Sequence, residues 1–288
     1  MENDEAVVIH SVDFSETSLI VTLFTKRFGK IEAIAKGGRR LKSPFESALD
    51  ILTRINVTFI QKKNDALDIL TESQLIRRFH VTQNNLHGLY AAYYIAELVN
   101  LFTERNLPNS RLYNLTSEKL CAFEKSDSIN YHIAQFEFQL LYENGTKPVL
   151  SYCAECGTKI EITNPNQLIP FRQAAGGVIC NKCVEKNRKF QQHYTLIKNE
   201  TLKILKHFET EINNKINNKQ CTNLQLSNKS INETLNLLNN CINYQLGSQP
   251  RTQKYLKHFN YTEHTLEAAD TMAAKQASEN KPAKVTEN

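Results

Sequence analysis

The chain has no tryptophan, only two methionines and no uninterrupted apolar run long enough to cross a bilayer. Its most apolar helical stretch, Leu89 to Phe102, is broken by Glu97 and Asn100. The start, MENDEAVVIHSVDF, is acidic and lacks the basic segment and apolar core of a secretory signal. With no export signal a reducing cytosol is the expected setting, and no membrane partner is expected. Neither GxxxxGK[ST] nor GxGxxG occurs, which excludes the common phosphate-cradling loops. HExxH and GxSxG are missing too, and no pair of acids stands at a recognisable catalytic spacing. The eight histidines are scattered and read as surface or core residues. No internal repeat is visible. The chain is not expected to be an enzyme.

What is present is a polar chain of 288 residues, long enough for two domains or one domain with additions. An apolar fraction of 41% suffices for buried cores. The net charge is only +5, yet it is unevenly placed. Between Lys26 and Lys63 stand ten Lys/Arg against three acids, +7 in one short stretch. The basic charge belongs to one module, and a polyanion is the partner it suggests.

The pattern divides the chain. Residues 1–81 alternate in the manner of β-structure: Val7-Val8-Ile9, Leu19–Thr25, Ile31–Ala35, Ile51–Gln61 and Leu67–Phe79, with a turn at Phe28-Gly29. Five short strands predict a small closed barrel of the OB-fold kind, with an SH3-like barrel as the rival. Residues 82–149 change to helical period: a first helix through Leu86, Leu89, Tyr90, Tyr93 and Phe102, a second over Leu112–Phe123, and a third on Ile129, Ile133, Phe136 and Leu140. Residues 150–187 form a cysteine module. Helical period resumes over 188–262, from about Tyr194 and Ile197. A loop is expected at Asn213–Asn218, a capping box at Ser230–Glu233, and a last short helix at Gln253–Phe259. Residues 263–288 have little to bury and read as a disordered tail. The expected class is α+β and multidomain: an N-terminal five-stranded OB-fold β-barrel, then an α-helical domain with an inserted four-cysteine zinc module.

Cys153 and Cys156, then Cys180 and Cys183, make two Cys-x-x-Cys pairs. Two intervening residues let both thiolates of a pair face one ion, and the neighbouring Gly157, Gly176 and Gly177 let backbone fold closely around sulfur. Four thiolates close a tetrahedral shell, so structural Zn2+ is the expected cofactor. An Fe–S cluster and redox dithiols also fit Cys-x-x-Cys, and metal analysis separates them. Cys121, Cys221 and Cys241 fall outside the pattern and read as small buried hydrophobes.

The second feature is Ala35-Lys36-Gly37-Gly38-Arg39-Arg40-Leu41-Lys42-Ser43. The glycines let backbone approach a ligand, and Lys36, Arg39, Arg40 and Lys42 present cations beside it. Lys26, Arg27 and Lys30 sit on the turn one strand earlier, and the two segments are expected to share a rim that tracks a phosphate backbone. Phe24, Phe28 and Phe45 are nearby candidates to stack on bases, against the commoner reading that strand aromatics are core.

The order barrel, basic loop, helices and CxxCG…GGxxCxxC resembles the RecO family of bacterial DNA repair proteins. Ser18–Thr25 with Gly29-Lys30, the loop Ala35-Lys36-Gly37 with Lys42-Ser43, and Phe171 through Gly176-Gly177 to Cys183 carry the likeness. Where that family often has a basic Leu-Gly-Arg-like segment, this chain has Leu246-Gly247-Ser248-Gln249-Pro250-Arg251. The resemblance implies a recombination mediator that binds single- and double-stranded DNA through its barrel and anneals complementary strands. With RecR it would help load RecA onto DNA coated by single-strand-binding protein (SSB), whose C-terminal tail it would meet through the helical domain. By motif, DNA contact falls on Lys36, Arg39, Arg40 and Lys42; Lys26, Arg27 and Lys30 rest on local charge. The zinc module would be structural. Two other readings stay open from the residues alone: a zinc-stapled protein adaptor with a basic face, and an RNA-binding OB-fold factor.

Overall fold

The structure, a computed structural model, describes residues 1–40, 43, 45, 48–62, 66–80, 85–126, 128–162, 164, 166–187, 193–216 and 226–256. Lys42, Cys221 and the 263–288 segment lie outside them.

Strict alternation of burial along Gly29–Ala35 and Thr53–Ile60 marks strands with one face turned into a core. These are β3 and β4. With β1 (Glu2–Phe14), β2 (Ser18–Thr25) and β5 (Asp68–Arg78) they close a barrel in the order β1-β2-β3-β5-β4. All neighbours are antiparallel except β3 and β5, which run parallel from Ala33↔Asp68 to Ala35↔Leu70. Five strands in this Greek-key order are the OB-fold arrangement rather than the SH3-like one. Ala6, Val8, Val21, Leu23, Ile31, Ala33, Ile55, Val57 and Phe59 fill the interior. Strand β1 starts earlier than its apolar centre suggests. Its polar beginning is held by pairing with β4, and buried Asp4 accepts the Arg27 backbone N–H at 2.6 Å.

The other face of β1 is also buried. Val7 and Ile9, together with Phe24 and Leu52, join the core of the helical region, and Phe24 meets Tyr113 with ring centroids 6.0 Å apart. That region opens with α1 (Leu86–Phe102), α2 (Ser110–Phe123) and α3 (Ile129–Glu143). Asn85 and Asn109 cap α1 and α2, each side chain accepting the N–H three residues on. Gly88 lets α1 approach α2: a Cβ there would stand 2.7 Å from the Phe123 carbonyl oxygen.

Then come β6 (Leu168–Arg172), a 3-10 turn at Gln173–Ala175, β7 (Gly177–Val178), α4 (Asn181–Asn187), β8 (Thr195–Lys198), α5 (Asn199–Ile216) and α6 (Asn228–Leu246). Strands β7, β6 and β8 make a small sheet in that order. Ile197 therefore sits on a strand, not on the helix its spacing suggested; helical structure begins at Asn199. Helix α5 also runs on through Asn213 to Ile216 where a loop was expected, and residues 217–218 fall outside the described set. The cap of α6 is Ser227, whose Oγ accepts from Ser230 N. Ser230 is already inside the helix and donates to Glu200, and Glu233 pairs with Lys198 rather than closing a capping box. Residues 253–256 form a last helical turn. No helix among the described residues is long and apolar enough to cross a membrane.

One buried polar cluster ties this region together. Glu137 of α3 is fully buried and accepts from the Tyr94 hydroxyl of α1; Asn239 of α6 lies 3.1 Å from that hydroxyl, and Gln253 donates to Asn239. Burial pushes the Glu137 carboxyl up to about 8, only partly offset by the Tyr94 hydrogen bond. The folded chain thus keeps a proton that the unfolded chain loses near 4.5. By linkage, stability falls as pH rises from the ordinary carboxylate range to about 8 and is level above that. Glu137→Gln, which keeps an acceptor for Tyr94 and cannot ionise, is expected to raise the thermal midpoint at pH 8.5 by about 3 °C or more, with little change at pH 5. Equal loss at both pH values in a melting series would contradict burial in the neutral form.

Candidate nucleic-acid interface and metal centre

Strand β3 separates the two groups of cations that the sequence suggested would share a rim. Lys26, Arg27 and Lys30 stand at its start and Lys36, Arg39 and Arg40 beyond its end. Seven residues of strand put them roughly 20 Å apart. They bracket the outer β2–β3 face instead of lining one edge. In OB barrels that face, with the β1–β2 and β4–β5 loops at its ends, is where oligonucleotides lie.

At the far end the loop after β3 makes two successive turns, Gly38 N to Ala35 O and Arg40 N to Gly37 O. Gly37 has φ +76°, a conformation that side chains resist. The turns press the loop onto the β1–β2 hairpin: Arg39 N donates to Thr17 O at 3.0 Å, and its guanidinium bonds Ser15 O and pairs with Asp13 at 3.2 Å. Lys36 and Arg40 point to solvent. Phe14, at the hairpin tip, is 48% exposed. A large ring left in water beside three cations is a stacking candidate that the sequence reading missed. Its signal was its place just before the turn Ser15-Glu16-Thr17. The three rings that were considered are elsewhere: Phe24 and Phe45 are in the core, and Phe28 packs edge-on against Phe59 with centroids 5.4 Å apart.

At the near end Lys26 is exposed. Arg27 is tied through Nε and its backbone N–H to Asp4 and through its guanidinium to Asn3 O, though 64% of its side chain stays open. Lys30 is engaged inside the protein. Its Nζ donates to Asn100 O of α1 at 2.7 Å, and burial lowers its pKa. It works as a strut between barrel and helices.

The four cysteines converge. Their Sγ atoms all lie within 4.8 Å of one another, with Cys156 and Cys180 at 3.7 Å. A metal with about 2.3 Å bonds to sulfur needs tetrahedral edges of about 3.8 Å, so the donor set fits such an ion. Gly157 turns the first knuckle at φ +72°, its N–H on Cys153 O, and Cys180 N–H points at Cys153 Sγ at 3.3 Å. Gly177 is required by contact: a Cβ would fall 2.4 Å from Val149 O. Thr158 lowers Cys156 to about 6, while burial raises Cys180 and Cys183. All four become thiolates together only with a cation among them. The buried part of this knuckle is Cys153, Ile179 and Cys183 alone, whereas Ile169, Phe171, Val178 and Ile197 of the adjoining sheet belong to the main helical core. Of the remaining cysteines, Cys241 is buried and Cys121 is half-buried beside Arg77 at 3.1 Å.

Comparison with known proteins covers most of the described length. The family model for "Recombination protein O N terminal" matches residues 1–79 and that for "Recombination protein O C terminal" matches 83–254. The DNA repair protein RecO of Rhodopirellula baltica is 39% identical over 206 residues, 72% of this chain and 74% of the relative. Those of Caldanaerobacter subterraneus and Syntrophus aciditrophicus are 33% identical over 192 residues and 31% over 179, covering 65% and 62% of this chain and 73% and 68% of theirs.

The partition of the core predicts a local response to metal loss. The purified protein is expected to hold one metal ion, and Cys153→Ser to lose it. Chelation is expected to speed amide exchange in 150–186 while β1–β5 keep their protection, as mass spectrometry would show. Barrel and knuckle opening together would refute a local staple.

Proposed function

The chain belongs to the RecO family of DNA repair proteins, and from that premise we propose that it is a non-enzymatic, cytoplasmic recombination mediator. In this reading it binds single- and double-stranded DNA, anneals complementary strands, and with RecR helps RecA replace SSB, whose C-terminal tail it would meet through the helical domain. The knuckle of Cys153, Cys156, Cys180 and Cys183 carries structural Zn2+ and takes no part in chemistry: its four donors leave no position for water.

One observation supports the DNA reading above the others. A closed OB barrel carries exposed cations at both ends of its β2–β3 face and an exposed ring at one of them. Lys36 and Arg40 are the primary phosphate contacts at the Phe14 end, and Lys26 is the primary contact at the other; Lys42, outside the described residues, is carried as a contact on its motif alone. Arg27 and Arg39 add charge from fixed positions, since each is held by an aspartate and still open to solvent. Lys30 contributes to the local field while bonded to Asn100. Phe14 supplies stacking without sequence preference.

Lys36→Glu with Arg40→Glu is expected to weaken binding of unrelated single strands about tenfold, equally across sequences, and to flatten the salt dependence by roughly one to two in log–log slope. Fluorescence anisotropy across a salt series measures both. An unchanged slope would remove this loop from the interface. Matched RNA oligonucleotides test for an RNA factor, and annealing of SSB-coated strands with and without RecR tests the mediator role.

A further inference from the structure

Helix α1 carries a stripe of large side chains that stays partly open to solvent, although Tyr90 within it also packs against the helical core. Leu86, Tyr93 and Leu101 are exposed, and Tyr90 and Glu97 are half-buried between them. The segment after α6 lies along this stripe. Glu97 accepts the backbone N–H groups of Arg251 and Thr252, both at 2.8 Å, and the Thr252 hydroxyl. The last helical turn then sets Tyr255 flat against Tyr90, centroids 5.3 Å apart and planes 19° from parallel. Tyr255 keeps 42% of its surface and Tyr93 keeps 38%. Lys254 Nζ stands 4.9 Å over the Tyr255 ring, and Arg251 is exposed.

Glu97 is the carboxylate on the stripe, and two amides and a hydroxyl occupy it. Arg251 and Lys254 have no carboxylate partner among the described residues. Among the described residues the cavities of about 300 Å3 lie elsewhere, between α2, α3 and α5 and beside β8 and α6. The exposed Tyr93 ring and the uncovered part of Tyr255, beside two cations without a carboxylate partner among the described residues, suit a ligand that brings flat faces and negative charge together, which is a single strand of nucleic acid. An acidic peptide would satisfy the cations and make no use of the exposed Tyr93 ring. The position agrees too. Lys30, at one end of the barrel face, bonds Asn100, and Tyr93 lies seven residues back along α1, about 10 Å of helix rise.

We propose that Tyr93 and Tyr255, the latter backed by Tyr90, form with Arg251 and Lys254 a second single-strand contact on the helical domain, stacking bases of the strand that leaves the barrel. It rests on the barrel reading only for the path of the strand. The lack of tryptophan gives a direct probe, because tyrosine emission of the intact chain is expected to be quenched by oligo-dT and not by polyphosphate. Anisotropy would compare oligo-dT of about 8 and about 25 nucleotides, one short enough for an OB barrel alone and one that overhangs it. Tyr93→Leu with Tyr255→Leu is expected to weaken the longer strand about tenfold and leave the shorter one and the salt slope unchanged. Tyr→Phe at both positions is expected to bind as the parent does. Lys254→Ala with Arg251→Ala, which spares the rings, covers the case in which the leucine pair unfolds: it is expected to lower the slope for the longer strand by about one or more. Parental binding of the longer strand by the folded leucine pair and by the alanine pair would overturn the platform, as would capture of an acidic peptide in place of oligo-dT. Loss of short-strand binding in the Lys36→Glu, Arg40→Glu chain bears on the barrel alone, so the two readings fail separately.

Discussion

Three residue pairs close the barrel. Ala33, Ile34 and Ala35 lie in parallel beside Asp68, Ile69 and Leu70, and without these pairs β1–β5 would be an open sheet with two bare edges. The parallel direction has a consequence for charge. Strand β4 must be laid down beside β1 before β5 can return next to β3, so the chain leaves β3 at its far end and makes a long loop. That loop opens with Lys36-Gly37-Gly38-Arg39-Arg40, and its tight turns set it against the β1–β2 hairpin. The cations stand beside Phe14 because of how the barrel closes. Fully buried Ala33 and Ala35 give the ladder its inner face, where a larger side chain would compete with Ile31, Val57 and Phe59 for the interior.

The same strands decide which side of the barrel stays open. Ala6 and Val8 of β1 face inward while Val7 and Ile9 face the helices, so β1 is buried on both faces. Polar bonds ring this junction: Arg54 to Glu5 and Ser117, Tyr113 to Glu5, Arg77 to Glu124, Lys30 to Asn100. Each half-exposed ion pair contributes at most about 1 kcal/mol. Burying one large apolar side chain contributes about 1.5–3 kcal/mol. Phe24, Val7, Ile9 and Leu52 therefore hold the two parts together, and the ion pairs fix their register. The helices cover β1 and reach onto the β2–β3 face at Phe24 and Lys30, while Ile20 and Ile34 nearer its other end stay half-buried.

Local pattern made much of this legible. The five strands announce themselves by β-branched alternation, and the cysteine spacing states its own geometry. Relations between distant residues did not show. Nothing in Lys26–Arg40 says that its two basic groups sit at opposite ends of one strand; register decides that. Tyr194 and Ile197 have helical spacing with Ile204, yet pairing with β6 claims Ile197 for a strand, because tertiary pairing overrides a short periodic signal. Ser230 has capping-box spacing with Glu233, but Ser227 three residues earlier takes the cap and Lys198 takes the glutamate. The burial of Glu137 is equally invisible, since a glutamate in an amphipathic helix ordinarily faces water.

The two arginines held by aspartates show how burial decides which cations a phosphate can recruit. Asp13 is 67% exposed, so the Arg39 pair is the weak surface kind. A phosphate that draws Arg39 away leaves Asp13 in water at little cost. Asp4 is 4% exposed and accepts both the Arg27 side chain and its backbone N–H. Drawing that guanidinium away would leave a buried carboxylate one donor short, a penalty of about 1–3 kcal/mol or more for a charged group. Arg27 can still meet a phosphate with the open part of its side chain, but only from where Asp4 holds it. The Phe14 end of the barrel can thus adjust to the strand, while the Arg27 end is a fixed post against which the strand is registered.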